Sequence, residues 1–342
     1  MNLSILLKTA LASALLSTVA CKNDLNPVEG RKDIPVIFGA ISITDTATYI
    51  RVEKAFADPT KSALDIAQIP DSLYYDDATV TLVKIKSNER FILKKVDGNT
   101  EGYPREKGVF ASAPNFIYKI KNNQLNLAAD QTWRVEVQRK TDVKPLAESK
   151  AVSIVGVNAI AAPLNNVVLN FGLTNNTSIR VETGENSARL YDANVIFNFT
   201  EAPLANPSQT TVKKVVWRYA NGSARAFFNN APDITTTFRQ PAGAFYDFLQ
   251  SSLIADPSIV RKAINVDIEV NAGGQEFSDY INSASANTGI TGSQSITSFT
   301  NIDRGLGLFV SRSNVKVTDF KLSQEMLENL KSSTQTKNLN FR

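Results

Sequence analysis

Short segments in which apolar and polar residues alternate fill the chain from Ile34 to about Val155. The segment 131–140 divides its side chains between two faces, with Trp133, Val135 and Val137 on one and Arg134, Glu136 and Gln138 on the other. Because successive side chains of a strand point to opposite faces, this period of two is typical of strands with one buried face. About seven such segments in about 120 residues predict an antiparallel β-sandwich over residues 34–158.

One hairpin is predicted inside this region. The strands DATVTLVKI (77–85) and RFILKKV (90–96) flank the polar turn KSNE. A short polar turn between two alternating segments favours antiparallel pairing of its neighbours.

Residues 159–342 predict a second, mixed domain, because 342 residues exceed what one ordinary domain needs. Its first part is β-rich, with strands expected in NVVLNFGL (166–173), ANVIFNFTEA (193–202), KVVWRYA (214–220) and INVDIEVNAGG (264–274). Apolar residues at helical spacing then predict three short helices, within 240–256, 275–289 and 323–333. Ser323 is the expected N-cap of the last helix, with Glu325 close to the capping-box position.

The amino-acid composition excludes several kinds of catalytic, metal-binding and disulfide chemistry. The chain has no histidine and one cysteine, which excludes histidine-dependent nucleophilic catalysis, imidazole metal sites and intramolecular disulfides. The 37 basic and 33 acidic residues give a net charge of only +4, without the concentrated basic face of nucleic-acid-binding proteins. We therefore expect no nucleic acid partner, no metal and no cofactor.

The single cysteine lies directly after a leader-like segment. Residues 1–20 carry one charge, Lys8, and an apolar stretch too short to span a bilayer, as in a secretory signal peptide. Thr18-Val19-Ala20-Cys21 resembles the bacterial lipobox, with Thr18 where leucine is usual. This resemblance implies a diacylglyceryl group on Cys21, and residues 21–33 would form a polar tether. The alternative is ordinary secretion with cleavage nearby.

Two regions together resemble a family of Bacteroidota outer-membrane lipoproteins of unknown function, which are often encoded beside TonB-dependent receptors. The first region is the order Cys21, VIFGAISITDTATYIRVEKAFA, DATVTLVKI and TWRVEVQRK; the second is FSDYINSASANTG followed by NIDRGLGLF (301–309). The resemblance implies an immunoglobulin-like sandwich and an outer-membrane location. Lys22 follows the cysteine, and KND resembles the surface-export signals of such lipoproteins, so we expect the protein on the cell surface.

Two motifs resemble ligand-binding loops, but their spacing favours ordinary turns and loops. NIDRGLGLF lacks the third glycine and the helix start of a dinucleotide-binding loop. It predicts a tight turn between strands, in which Asn301 and Asp303 bond their own backbone and Leu306, Leu308 and Phe309 pack. DSLYYDD (71–77) has three aspartates but not the spacing of an EF-hand, which predicts a solvated acidic loop.

Candidate binding residues come from the aromatic side chains. Tyr74 and Tyr75, in a predicted loop, are the better interaction candidates, whereas Trp217 and Tyr219 alternate within a strand and are expected to pack in the core or on a sheet face. Other aromatic residues available for a ligand platform are Tyr103, Phe227 and Phe228. Thr46 and Ser72 match a short Asp-Ser/Thr-apolar pattern that resembles the acceptor of Bacteroidota O-glycosylation.

The function expected from these features is a non-enzymatic outer-membrane lipoprotein that acts as a binding or accessory subunit of a TonB-dependent transporter. The alternative is a structural or adhesive cell-surface module. A third hypothesis, a carboxylate-dependent hydrolase, requires two acids that converge in a cleft, and the sequence nominates no pair. Asp247 and Asp279 are expected on the polar faces of their helices.

Overall fold

The architecture is described by a computed structural model. It describes residues 34–55, 61–157, 159–164, 167–182, 188–224, 227–228, 231–232, 235–286 and 299–342, with only the backbone at 223–232 and 285–286. Cys21, the predicted signal peptide and the predicted tether lie outside these residues.

The described chain is mainly β. Its first nine strands are β1 (Ile34–Ile41), β2 (Ala47–Ala55), β3 (Ala78–Lys84), β4 (Glu89–Ile92), β5 (Lys94–Asp97), β6 (Phe116–Lys121), β7 (Thr132–Arg139), β8 (Ala147–Ser149) and β9 (Val152–Ser153). The later strands are β10 (Ala159–Ala162), β11 (Thr177–Glu182), β12 (Leu190–Pro203), β13 (Thr211–Ala224), β14 (Phe227–Phe228), β15 (Ala231–Pro232), β16 (Thr235–Gln240), β17 (Ile259–Gly273), β18 (Ile302–Asp303) and β19 (Leu306–Phe320). The α-helices are α1 (Ala63–Ala67), α2 (Pro70–Leu73), α3 (Ala244–Ser252), α4 (Gln275–Ala286) and α5 (Gln324–Ser332).

Residues 34–157 form a β-sandwich together with β18 and the first part of β19, which confirms the predicted β-sandwich except that β19 pairs parallel with β1. One layer has the order β19-β1-β2-β6-β5, and the facing layer has the order β18-β8-β7-β3-β4, with β9 paired to β7. Trp133, Val135 and Val137 lie fully buried between the layers, which confirms the alternation in β7. The predicted hairpin is also present, since β3 pairs antiparallel with β4.

The strand predicted over 90–96 is divided between the two layers. Residues up to Ile92 pair with β3, whereas residues from Lys94 pair with β6 in the opposite sheet. Leu93, at the crossing, is buried in the core. A strand that changes sheets in this way closes the edge of a sandwich, and alternation alone does not reveal it.

The second half is built on the long strands β13, β12, β17 and β19, which lie side by side in that order. Their inner face packs on α3, α5 and the small sheet β10-β11-β16, in a core that includes Phe197, Phe199, Trp217, Tyr219 and Phe245. The three predicted helices are confirmed as α3, α4 and α5, and the Ser323 hydroxyl caps α5 by accepting from the Met326 amide.

One predicted strand is wrong. Within the described part of NVVLNFGL, residues 167–173 make only an isolated bridge, from Leu169 to Leu322. Leu169 and Phe171 are nevertheless buried in the second core. Phe171 packs against Trp217 and Phe245, so the apolar pattern here indicated a buried segment rather than a strand.

Strand β19 joins the two halves. Residues Leu306–Ser311 pair parallel with β1, and residues from Arg312 onwards pair antiparallel with β17. The segment that leaves the sandwich is fixed to the same strand, because the Val155 amide donates to the Ser311 hydroxyl at 2.8 Å. The predicted domain boundary at residue 158 stays a prediction. β18 and the first part of β19, which lie far beyond it in sequence, complete the sandwich.

The motif 301–309 forms the predicted tight turn between β18 and β19. Asn301 does not bond its own backbone as expected: its side chain donates to the Phe309 carbonyl at 2.6 Å and accepts from the Phe309 amide at 2.9 Å. Leu306, expected to pack, is 45% exposed, whereas Leu308 and Phe309 are buried. The motif is architectural because it holds the start of β19 against β1.

Replacing Gly307 by alanine tests this joint. Gly307 has φ +110°, and an added Cβ would lie 2.0 Å from the Ile37 carbonyl oxygen. We expect Gly307→Ala to lower the free energy of unfolding by about 3 kcal/mol, from backbone strain and the displaced β1–β19 pairing. Urea unfolding followed by tryptophan fluorescence measures the change. Gly108→Ala is the control, since nothing lies within 4 Å of its added Cβ; equal stabilities of the two variants would contradict the prediction.

Candidate binding cleft

The turn between β1 and β2, residues 42–46, is held rigid by one amide side chain. Asn122, directly after β6, donates to the carbonyls of Ser42 and Asp45, both at 2.8 Å. Its side-chain oxygen accepts from the Thr48 hydroxyl at 2.7 Å. Because all these bonds converge on one residue, the turn has a fixed shape at the end of the sandwich.

Two tyrosines lie beside this turn. Tyr49 points outward from β2, and Tyr103 packs on it with ring centroids 4.7 Å apart and planes inclined by 57°. Tyr103 is 54% exposed, so one face of the pair is open to solvent. The Lys119 ammonium lies 5.5 Å from the centre of the Tyr49 ring. The pair therefore presents an apolar aromatic surface with polar groups at its rim.

Tyr103 is carried by the covering loop, residues 98–115, which crosses the outer face of β2. Loops longer than about 12–15 residues are uncommon in compact domains and are often functional. The loop is held by an ion pair between Arg105 and Glu53 of β2. Asn115 adds two bonds, donating to the Tyr103 carbonyl at 2.8 Å and accepting from Arg51 at 2.8 Å. These contacts fix the position of the Tyr103 ring.

Two clefts flank the turn. One, of about 370 Å³, is lined by Tyr49, Tyr103, Arg312, both hydroxyls of Thr44 and Thr46, and the small side chains Ala40 and Ala47. The other, of about 570 Å³, is lined by the amides Asn122, Asn123 and Asn126 with Lys121. Asp45 and Thr46 border both clefts, so a ligand that crosses the turn would contact an aromatic face on one side and amides on the other.

The charges at the aromatic cleft are compensated within the protein. Arg312 donates to the Asp45 carboxylate at 2.7 Å, and Lys119 pairs with Glu101. The hydrogen bond to Glu101, assisted by one to Tyr49, raises the pKa of the Lys119 ammonium. Such a surface suits a polar ligand without net charge, which stacks on tyrosine and exchanges hydrogen bonds with hydroxyls and amides.

The structure corrects the expectation for Tyr74 and Tyr75. They are only 4% and 2% exposed, and therefore do not form a ligand surface. Tyr74 packs edge-on against Phe116 at 5.2 Å under the covering loop, and its burial raises the pKa of its hydroxyl. Tyr75 belongs to the sandwich core. The loop position was predicted correctly, but the contacts that bury the rings come from segments distant in sequence.

The remaining predicted residues are dispersed. Thr46 is exposed in the β1–β2 turn, and Ser72 is half-buried on α2. Trp217 and Tyr219 are buried, as predicted. The predicted O-glycosylation of Thr46 and Ser72, and the lipidation of Cys21, stay predictions.

The acidic side chains singled out in the sequence do not converge. Asp247 is exposed on α3, and Asp279 on α4 accepts from Gln275 at 2.7 Å. The segment 71–77, predicted as a solvated acidic loop, begins instead within α2, and its Asp77 pairs with Arg139. Among the described residues no cluster of three metal-ligating side chains occurs, and no helix is long and apolar enough to cross a bilayer.

Tyr49, Asn122 and Arg312 were not recognised as site residues from the sequence. For Tyr49 a signal was present: it alternates with Thr48 and Ile50, which are buried, and an outward aromatic residue on a strand favours an interaction surface. For Asn122 and Arg312 the sequence offers no comparable signal, since their roles depend on contacts with a turn about 80 and 270 residues away.

The Arg105–Glu53 pair is expected to control the mobility of the covering loop. Arg105→Ala would remove the charge-assisted bond between the covering loop and Glu53, which would keep only its pair with Arg51. The part of the loop around Tyr103 should therefore become more mobile. Hydrogen exchange by mass spectrometry should show faster exchange of amides 99–112 with little change in β7. Lys107→Ala, an exposed residue of the same loop, is the matched control; the same exchange rates in both variants would refute the anchoring role.

Comparison with known proteins yields little similarity. No family model matches the chain, and no curated protein matches it. Among solved structures, the C-terminal globular domain of an oligosaccharyltransferase from Pyrococcus abyssi is similar over 70% of this chain and 46% of that chain, with 10% identity and a TM-score of 0.23. The FN1–FN3 domains of chicken CNTN1 are similar over 83% of this chain and 67% of that chain, with 10% identity and a TM-score of 0.18. The chain thus spans less than half of the length of the oligosaccharyltransferase domain that it resembles.

Proposed function

We propose that the protein is a non-enzymatic, surface-exposed outer-membrane lipoprotein that binds cargo as an accessory subunit of a TonB-dependent transporter. The observation that carries the binding role is the aromatic cleft at the β1–β2 turn. The cargo class that fits it is a neutral, polar molecule with an apolar face, such as a short oligosaccharide.

The geometry of the cleft supports binding rather than catalysis. Its aromatic pair is held in place by backbone and side-chain contacts of the covering loop, so little conformational freedom is lost when a ligand stacks on it. The charged groups at its rim, Asp45 and Glu101, are each paired with a cation. Both carboxylates are thus engaged in ion pairs within the protein.

The sequence supports membrane attachment. Acyl chains on Cys21 would anchor the protein without a transmembrane helix, since each buried methylene contributes about 0.8 kcal/mol. The polar segment 21–33 could extend to about 45 Å at about 3.3–3.6 Å per residue. Anchoring in the membrane of the transporter raises the effective concentration of the two partners, so a weak contact between them suffices.

The first test concerns attachment to the membrane and the protein partner. In the native organism, wild-type protein should fractionate with the outer membrane, carry an acylated N-terminal cysteine by mass spectrometry and co-purify with a TonB-dependent receptor after mild detergent extraction. Cys21→Ser should remove the acyl mass and shift most of the protein to the soluble fraction, because the thiol is the acceptor. Asn26→Ala, in the same tether, is the control and should behave as wild type.

Each outcome addresses a different part of the proposal. An unmodified Cys21 in the mature protein would contradict lipid anchoring. A lipidated, abundant surface protein that enriches no receptor would contradict the transporter role and favour the structural or adhesive module instead.

The second test concerns the cleft. Tyr103→Ala should weaken binding of a neutral oligosaccharide about 2- to 12-fold in isothermal titration calorimetry, because a lost aromatic contact is worth about 0.5–1.5 kcal/mol. A panel of neutral oligosaccharides is screened on the wild-type protein first. Tyr280→Ala removes an exposed tyrosine of α4 that does not line the cleft, and is the matched control. Equal affinities of the two variants, or no binding by any member of the panel, would count against this cargo class.

A further inference from the structure

The long strand β13 has an open edge. It lies at the end of the eight-stranded sheet and pairs with β12 on one side. Near its end the other side is covered, because the Gln240 side chain donates to the Tyr219 carbonyl at 2.6 Å. From Thr211 to Arg218, no residue in the described ranges hydrogen-bonds to the outer edge. Alternate N–H and C=O groups of this segment therefore face solvent.

Other edges in the described part of the structure are short. The opposite edge of the same sheet is β5, of four residues, and the sandwich layer facing it ends in β4, also of four residues, and β18, of two. The three-stranded sheet ends in β10, of four residues, and β16, of six. Proteins generally limit open edges by shortening them, because an unpaired edge recruits other strands. The eight-residue edge 211–218 is long enough to pair with a whole strand of another chain.

The side chains along this edge are apolar and positively charged, which indicates the kind of strand that could pair with it. On the outer face of the sheet Val212 and Val216 alternate with Lys214 and Arg218, and the two valines are 72% and 47% exposed. Lys213, on the opposite face, is also exposed. Residues 204–224 contain no aspartate or glutamate. In the described part of the chain these three cations take part in no salt bridge, so the edge is both apolar and positively charged.

We propose that the edge 211–218 binds an acidic, extended segment of another protein by β-strand addition. Backbone hydrogen bonds along the edge supply affinity, and side chains at alternate positions supply specificity. The partner segment carries an apolar residue opposite Val216, between two acidic residues opposite Lys214 and Arg218. Such pairs of opposite charge stabilise adjacent strands, whereas like charges oppose pairing.

The same charges disfavour a second copy of this chain as the occupant. Two β13 edges paired with each other would bring four lysines and two arginines together without a single acidic residue on either strand. The acidic segment therefore belongs to a different protein. This inference does not depend on the cleft or on the transporter role, because it uses a surface of the second half alone.

The test uses the full chain and synthetic nine-residue peptides labelled for fluorescence anisotropy. In the first peptide, valine and glutamate alternate at every second position, with threonine between them. It should bind and slow hydrogen exchange at amides 211–218. The double variant Lys214→Glu/Arg218→Glu should bind it about tenfold more weakly, because two attractive pairs become repulsive. Lys262→Glu, a single charge reversal on the outer face of β17, should retain most of the wild-type affinity, and Lys214→Glu alone, the matched single reversal on the edge, should not.

Two further peptides separate strand pairing from simple charge attraction. The same peptide with lysine in place of glutamate should not bind. The acidic peptide with N-methylated backbone keeps its charges but cannot pair, and should lose binding. Equal binding of the N-methylated peptide, no binding of the unmodified acidic peptide, or a concentration-dependent dimer of the wild-type protein in sedimentation would each overturn the proposal. Circular dichroism confirms that the variants, all changed at exposed positions, are folded.

Discussion

The parallel pairing of β1 with the first half of β19 is the interaction on which both halves of the molecule depend. It joins residues 36–41 to residues 306–311, almost the full length of the chain apart. Without it, β1 would present an unpaired edge to solvent, and the facing layer would lose the short strand β18, which precedes β19 directly. Because buried backbone groups need partners, the sandwich is complete only when the end of the chain has returned. Pairing over such a separation also predicts slow folding, since loop closure must precede it.

The same strand links the candidate cleft to the second half. Pairing of β19 changes from β1 to β17 between Ser311 and Arg312. Arg312 extends from this point to Asp45 in the β1–β2 turn, where it lines the aromatic cleft. A ligand held between Tyr103 and Arg312 therefore contacts the strand that the two halves share. The hydroxyls of Ser311 and Ser313, which accept from Val155 and Val157, fix the connecting segment at the same place.

The sequence predicted those features that depend on residues close together in the chain. Alternation predicted the sandwich strands, helical spacing predicted three helices, and Ser323 was recognised as an N-cap. The sequence did not predict features that depend on a partner distant in the chain. Alternation gives the face of a residue but not the sheet, so the division of residues 90–96 at Leu93 was missed.

The binding residues show the same limit. Tyr74 and Tyr75 are aromatic residues in a loop, a composition that suggests exposure, but Phe116 and the sandwich core bury them. The exposed aromatic surface is formed instead by Tyr49 of a strand and Tyr103 of the covering loop. Only the fold of residues 98–115 over β2 brings these two rings together, and no local pattern encodes it.

Some charged side chains form buried ion pairs that stabilise the fold, whereas others lie exposed on the surface without an ion-pair partner in the described part of the chain. Glu136 was expected on the solvent face of β7, yet it is buried there between Arg90 and Arg134. Its burial would raise the pKa of the carboxyl, but the bonds from the two arginines outweigh that effect and lower it. The buried Arg261 likewise binds Glu201. Since removing one partner of a buried pair costs several kcal/mol, these ions serve the fold. The cations of β13 are exposed and lie on a strand with no acids, so they contribute little to folding, and their charge remains available to a partner.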